Sequence, residues 1–177
     1  NAAVKANLTV TMCMRKCGLM TGKAINYTGK TEVVDLGFSS SLQLPQKEVN
    51  AIILAEDVRK ILPRRSLDVH KHTVGKIFVL AGSPGLTGAA AMVSSSALRA
   101  GAGAVILGAP TSVYPILAQK LSEVMVEPLK GTPEGTLGVA ALDAIQRHIR
   151  WADVVIIGPG LSRNQETMEV VRELVSE

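Results

Sequence analysis

Two glycine-rich stretches carry the residue types that could do chemistry: "AGSPGLTG" at 81–88 and "IGPGLSRN" at 157–164. Glycine lacks a side chain and takes positive φ, so a ligand can approach main-chain N–H groups there. Each stretch runs into a helix-like pattern. The free N–H groups and positive dipole end of such a helix favour an anion or a polar oxygen. Neither stretch is a dinucleotide G-x-G-x-x-G. Residues 82–88 read G-S-P-G-L-T-G, and no acidic residue stands at a strand end about 20 positions on, where a ribose contact would require it. Neither is a Walker loop, because Lys followed by Ser or Thr is missing. The alternative use of these glycines is the tight strand-to-helix turn alone.

A third candidate is "DVHKHTVGK" at 68–76, where His70, Lys71 and His72 stand together. They could transfer protons or bind phosphate; a solvated polar loop is the competing reading. No Ser-His-Asp set, carboxylate pair or metal cluster can be assembled. Asp68, Asp143 and Asp153 are separate, and Asp153 opens a strand, far from its carboxyl end. Cys13 and Cys17 form one C-x3-C pair with no second pair, which fits two reduced thiols better than zinc.

The elements that must position these turns follow from hydrophobic pattern. Strands are predicted at 7–12, 31–38, 76–82, 103–110 and 153–160. The last three are continuous apolar runs, as expected of strands buried on both faces of a parallel sheet. Helices are predicted at 55–63, stopped by Pro63, at 87–101, at 112–121 with Pro115 in the first turn, and at 136–152. A further helix starts near Asn164, a plausible N-cap. In the helix after residue 86, Ala90, Val93, Ala97 and Leu98 share a face and Gly101 marks the stop. Leu142, Ile145 and Ile149 are in phase in the 136–152 helix. Glycines at 18, 22 and 29 make "CGLMTGKAINYTGK" read as loop, and 39–50 with Pro45 as a linker or exposed connection. Strands alternating with helices predict an α/β fold, a parallel sheet with helices on both faces. The sheet reads as incomplete, because the chain starts on a strand and stops within a helix.

Composition narrows the classes. The chain has 177 residues, 47% hydrophobic and 19% charged, which is globular. A net charge of +4 with scattered Lys and Arg and 3% aromatics supplies neither basic stripe nor stacking platform, so no nucleic-acid partner is expected. No apolar run approaches the ~18–20 residues of a membrane span. No signal-type segment opens the chain, so no membrane partner and a cytoplasmic location are expected.

Together, "LPRRSLDVHKHTVGKIFVLAGSPGLTGAAAMVSSSALRAGAGAVILGAP", "VMVEPL" and "ADVVIIGPGLSRN" resemble the first half of the ADP/ATP-dependent NAD(P)H-hydrate dehydratase domain, which is similar to ribokinase-like kinases. "VKANLTVTM" and "YTGKTEVVDLGF" resemble the last strands of the Rossmann-like NAD(P)H-hydrate epimerase domain, which precedes the dehydratase in bifunctional repair enzymes. Two departures stand out: "MRKCGL" replaces a Pro-Lys-x-Gly-type segment, and His72 stands where Gly often follows His-Lys. The resemblance implies residues 1–40 as the end of an epimerase-like domain, 41–53 as a linker and 54–177 as the N-terminal half of a dehydratase domain.

The implied reaction is nucleotide-dependent dehydration of (S)-NAD(P)H hydrate to NAD(P)H, in a protein that also carries epimerase activity. The implied cofactors are Mg²⁺ and ADP or ATP, with K⁺ for an epimerase part outside this chain. Ala89 and Gly160 match the family's hydrate-binding positions, and Gly158 and Gly88 join them as backbone neighbours. The catalytic Asp of a Gly-x-Gly-Asp motif and the nucleotide segment are expected beyond residue 177, so the chain alone is expected to be inactive. The full-length protein is expected to be a homo-oligomer. Two other readings stay open: another ribokinase-like small-molecule kinase, and a non-catalytic nucleotide-binding module.

Overall fold

Parallel strands cannot be joined by a two-residue hairpin; each pair needs a crossover that carries the chain back. That requirement shapes both parts of this protein. The computed structural model describes residues 3–38, 51–62, 70 and 74–176. The chain divides into two compact units, Asn1–Pro63 and Arg64–Glu177. Most of the expected linker at 41–53, together with Lys71 and His72, lies outside the described residues.

In the first unit β1 (Leu8–Met12) and β2 (Lys30–Val34) pair in parallel, from Leu8 opposite Lys30 to Met12 opposite Val34. The segment between them, expected as loop, folds as α1 (Cys17–Met20), a 3-10 turn (Gly22–Ala24) and α2 (Ile25–Thr28). Its glycines punctuate short helical turns that form the crossover. The Thr9 hydroxyl donates to the Thr28 carbonyl at 2.6 Å and ties the crossover back to β1. β2 ends four residues before the expected Phe38, and Gly37 N–H donates to the Asp35 carboxylate at 2.8 Å in a local turn. The described residues here carry a two-stranded parallel ladder and not a Rossmann-like sheet. α3 (Ala55–Ile61) follows; its start is held by Asp57 Oδ2, which accepts from Leu54 N–H at 2.9 Å, and it stops before Pro63.

The second unit is built on a parallel sheet ordered β5-β4-β3-β6: β3 (Lys76–Leu80), β4 (Ala104–Pro110), β5 (Met125–Leu129) and β6 (Val154–Ile157). The alternation of side chains along β3 sorts the core into two layers. Val79 and Ala81 pack with Val105, Leu107 and Ala109 beneath α4 (Thr87–Ala100) and α5 (Tyr114–Lys120). Phe78 and Leu80 pack with Leu129 and Leu137 beneath α6 (Leu142–Trp151) and α7 (Gln165–Ser176). Helices therefore cover both faces, as the apolar runs predict. A fully buried residue such as Phe78 or Ile145 contributes roughly 1.5–3 kcal/mol of burial.

Local signals set most helix limits. Small residues let α4 lie close to the sheet: Ala90 and Ala97 are buried, and the buried Ser94 hydroxyl donates to the Ala90 carbonyl at 2.9 Å. Gly101, at φ +113°, ends α4 in the left-handed region. Asn164 caps α7, its Oδ1 accepting from Glu166 N–H at 2.9 Å.

Two elements differ from expectation. β5 is an unforeseen strand; it pairs only with β4 among the described residues, and Pro128 is tolerable on such an edge. α6 is shorter than the expected 136–152 helix. Residues 131–137 instead fold on themselves, with Thr132 N–H donating to the Thr136 carbonyl at 2.7 Å, before a 3-10 turn at Val139–Ala141 leads into α6.

Candidate functional site

The sheet order places β3 between β4 and β6. The chain reaches β4 from β3 over one face through α4, and reaches β6 over the other through α6. The strand order thus reverses between β3 and β6, and open parallel sheets bind ligands outside the carboxyl ends of such a pair. The two glycine stretches are the turns that leave those two ends.

They meet. Gly158 N–H donates to the Leu80 carbonyl at 2.8 Å, and Gly82 N–H donates to the Pro159 carbonyl at 3.2 Å. Gly82, Gly158 and Gly160 have φ of +93°, +92° and +74°, a region that L side chains rarely adopt. A Cβ on Gly160 would stand 3.1 Å from both Cβ and the carbonyl oxygen of Leu86, so the second turn rests directly on the residue that enters α4.

Gly88 and Ala89 follow in the first turn of α4. Gly88 is exposed, and a Cβ there would meet nothing within 4 Å; Ala89 is half-buried. Neither helical packing nor backbone strain therefore demands glycine at 88. Gly158 is different: it has open space around it but needs positive φ. The fold brings the neighbourhoods of Gly88, Ala89, Gly158 and Gly160 to one crevice.

Three groups at this edge carry no clear sequence signal. Lys120, at the end of α5, donates from Nζ to Thr87 Oγ1 at 3.2 Å, bringing a cation to the start of α4. Ser83, 2% exposed, lies between Gly82 and Pro84 in the first turn. The 131–138 segment straps the neighbouring loops: Ser112 Oγ donates to the Gly135 carbonyl, and Asn164 Nδ2 donates to Glu134 Oε2 at 3.4 Å. A spacing of 33 residues between Thr87 and Lys120 gives no periodicity to read, so only the fold reveals that pair.

An apolar hollow of about 340 Å³ lies to the α7 side of the second turn, lined by Ile157, Leu161, Ser162, Met168, Val171 and Arg172. It excludes all four expected hydrate-binding residues. Among the described residues no group of three or more His, Cys, Asp or Glu is placed to hold a metal ion. No helix among them is long and apolar enough to cross a membrane.

Four parallel strands, helices on both faces and glycine turns at the reversal of strand order define an α/β fold of the ribokinase-like kind. A ribokinase-like superfamily protein of Enterococcus faecalis aligns over 72% of this chain and 44% of its own, with a TM-score of 0.57 at 20% identity. The ADP/ATP-dependent NAD(P)H-hydrate dehydratase of Bacillus subtilis, co-crystallised with ATP/Mg²⁺, aligns over 68% of this chain and 40% of its own, with a TM-score of 0.51 at 27% identity.

The family model for NAD(P)H-hydrate dehydratase matches residues 77–177, from β3 through both glycine turns, and the chain belongs to that family. Over 97% of its length it is 40% identical to the bifunctional NAD(P)H-hydrate repair enzyme of Moorella thermoacetica. Over 93% it is 33% identical to that of Escherichia coli. The chain spans about a third of the length of these relatives, 32% and 30% respectively.

Proposed function

We propose that this chain supplies the substrate-binding floor of a nicotinamide nucleotide repair enzyme. The enzyme would dehydrate (S)-NAD(P)H hydrate to NAD(P)H at the expense of ADP or ATP. The observation that carries this reading is the joining of the two glycine turns at the β3–β6 reversal, through the Gly82–Pro159 hydrogen bond. It leaves exposed main chain beside the first turn of an uncapped helix. Gly88, Ala89, Gly158 and Gly160 would contact the hydrate through backbone, where an added side chain would take up ligand space.

In the reaction, the hydroxyl oxygen on the damaged ring attacks the terminal phosphoryl group of the nucleotide and displaces the shortened nucleotide. The ring C–O bond of the phosphate ester would then break, releasing inorganic phosphate, as the adjacent ring carbon loses a proton to a base, which restores the double bond. This chain's part would be to hold the dinucleotide hydrate and exclude competing water. Mg²⁺ would neutralise charge on the transferring phosphoryl group. Its ligands, the nucleotide segment and the base are assigned to the remainder of a longer protein, as is the K⁺ of an epimerase part.

Matches across nearly the whole chain to bifunctional enzymes support residues 1–40 as the end of an epimerase-like domain, 41–53 as a linker and 54–177 as half of the dehydratase domain. The same kinship supports a small-molecule substrate, and we extend the reading to a cytoplasmic homo-oligomer.

The test is to supply the longer protein with hydrated NADH, Mg²⁺ and ATP or ADP and follow the absorbance of regenerated NADH. Nucleotide-dependent regeneration is expected. Phosphorylation of a small alcohol with no activity on the hydrate would point to a kinase instead.

A further inference from the structure

Among the described residues, the hydroxyl of Ser83 has no hydrogen-bond partner. Ser83 is 2% exposed, and among the described residues no hydrogen bond reaches or leaves its Oγ. None of their fully sealed side-chain oxygens or nitrogens is unpaired, so the sliver of surface that Ser83 keeps includes the hydroxyl itself. A buried hydroxyl left unpaired is unfavourable, and such groups call for a partner from outside the fold.

Its neighbours fix where it opens. Gly82, just before it, donates to the Pro159 carbonyl at 3.2 Å, and the carbonyl of Ser83 accepts from Leu86 N–H at 2.9 Å, closing the turn that enters α4. Pro84, just after it, lies against the strap at Gly135. The hydroxyl therefore opens among the turns at the start of α4. That helix has 14 residues, no side-chain cap and no acidic residue in its first turn. Lys120 Nζ stands 3.2 Å from Thr87 Oγ1 in the same turn.

We propose that Ser83, the free N–H groups of the first turn of α4 and Lys120 seat a phosphate of the dinucleotide's pyrophosphate. The inference rests on the dehydratase reading and assigns the part of the substrate remote from the damaged ring. All three contributors are donors, and the set carries positive charge, which suits a phosphoryl oxygen better than a neutral carboxamide. A contact this far from the reacting atoms is made equally in ground and transition states. It should therefore act on KM and leave kcat alone.

The experiment uses the longer protein with NADPH hydrate and ATP, comparing the parent with S83A and K120Q. Each variant should raise KM about ten-fold with kcat held, the effect of one hydrogen bond to a charged group. S83A should melt at the parent temperature, since the lost hydroxyl supports nothing in the fold. In K120Q the rise of KM with added KCl should flatten, because one screened charge is gone. Unchanged KM in both variants, with an active parent, would overturn the seat alone. Failure of S83A to fold would make the hydroxyl structural and also overturn it. A parent inactive on any hydrate would overturn the dehydratase reading and the seat with it.

Discussion

The backbone N–H of Gly82 lies 3.2 Å from the carbonyl oxygen of Pro159, across the gap between the turns that leave β3 and β6. Residues 77 positions apart in sequence thus share one crevice wall, and neither turn can change shape without disturbing the other.

Gly160 is the most constrained point of that wall. Replacing it with Leu imposes a side chain at φ +74° and against Leu86, 3.1 Å from the new Cβ. A conformation of this kind costs of order 1–3 kcal/mol. G160L should lower the melting temperature of the longer protein and weaken hydrate binding more than ATP binding. Calorimetric titration with both ligands checks this, and equal losses would reduce the turn to a structural one.

Gly88 separates packing from ligand contact. With open space around its Cβ position, G88A should keep the fold and even stabilise α4 by up to about 1 kcal/mol through helix propensity. G88V should keep most of the helical circular dichroism and lose hydrate turnover, and A89D should do the same. Steady-state kinetics beside thermal melts decide the matter; full activity in both G88V and A89D would leave packing as their sole role.

Asn164 links the second turn to α7. N164A removes the cap on Glu166 N–H and the contact with Glu134. Loss of such a cap costs about 1 kcal/mol. Urea unfolding of the longer protein should show the midpoint falling with the slope unchanged, and N164D should recover most of the loss.

The 177-residue chain by itself should not regenerate NADH from the hydrate with ATP or ADP and Mg²⁺. On the proposed reading its described residues would supply a binding floor, but they hold no cluster of three or more metal-ligating side chains, and losing one oriented donor alone removes roughly 2.7–4 kcal/mol of transition-state stabilisation. Nucleotide-dependent regeneration by the purified chain would place the base within it.

The amino-acid sequence by itself determines the strands β3, β4 and β6, because each is a continuous apolar run; the expected burial holds for most of β3 and β4, whereas β6, paired with β3 alone among the described residues, leaves Val154 exposed and its other residues half-buried. It also determines the stops and starts that depend on a single residue, such as Gly101 after α4 and Asn164 before α7. Edge strand β5 escapes such reading: Glu127 and Pro128 interrupt the run, and pairing with β4 is what makes it a strand. The crossover between β1 and β2 escapes it for a related reason, since its glycines read as loop until the parallel pairing requires the chain to return. Gly88, Gly158 and Gly160 are legible as members of two glycine turns, whereas Ala89 is singled out only by the family resemblance. That the turns touch, that Lys120 reaches Thr87, and that Ser83 is buried with no hydrogen-bond partner among the described residues are decided by tertiary structure. Strand order and the handing of helices to opposite faces set distances between residues far apart in the chain, and no local pattern of residue types encodes them.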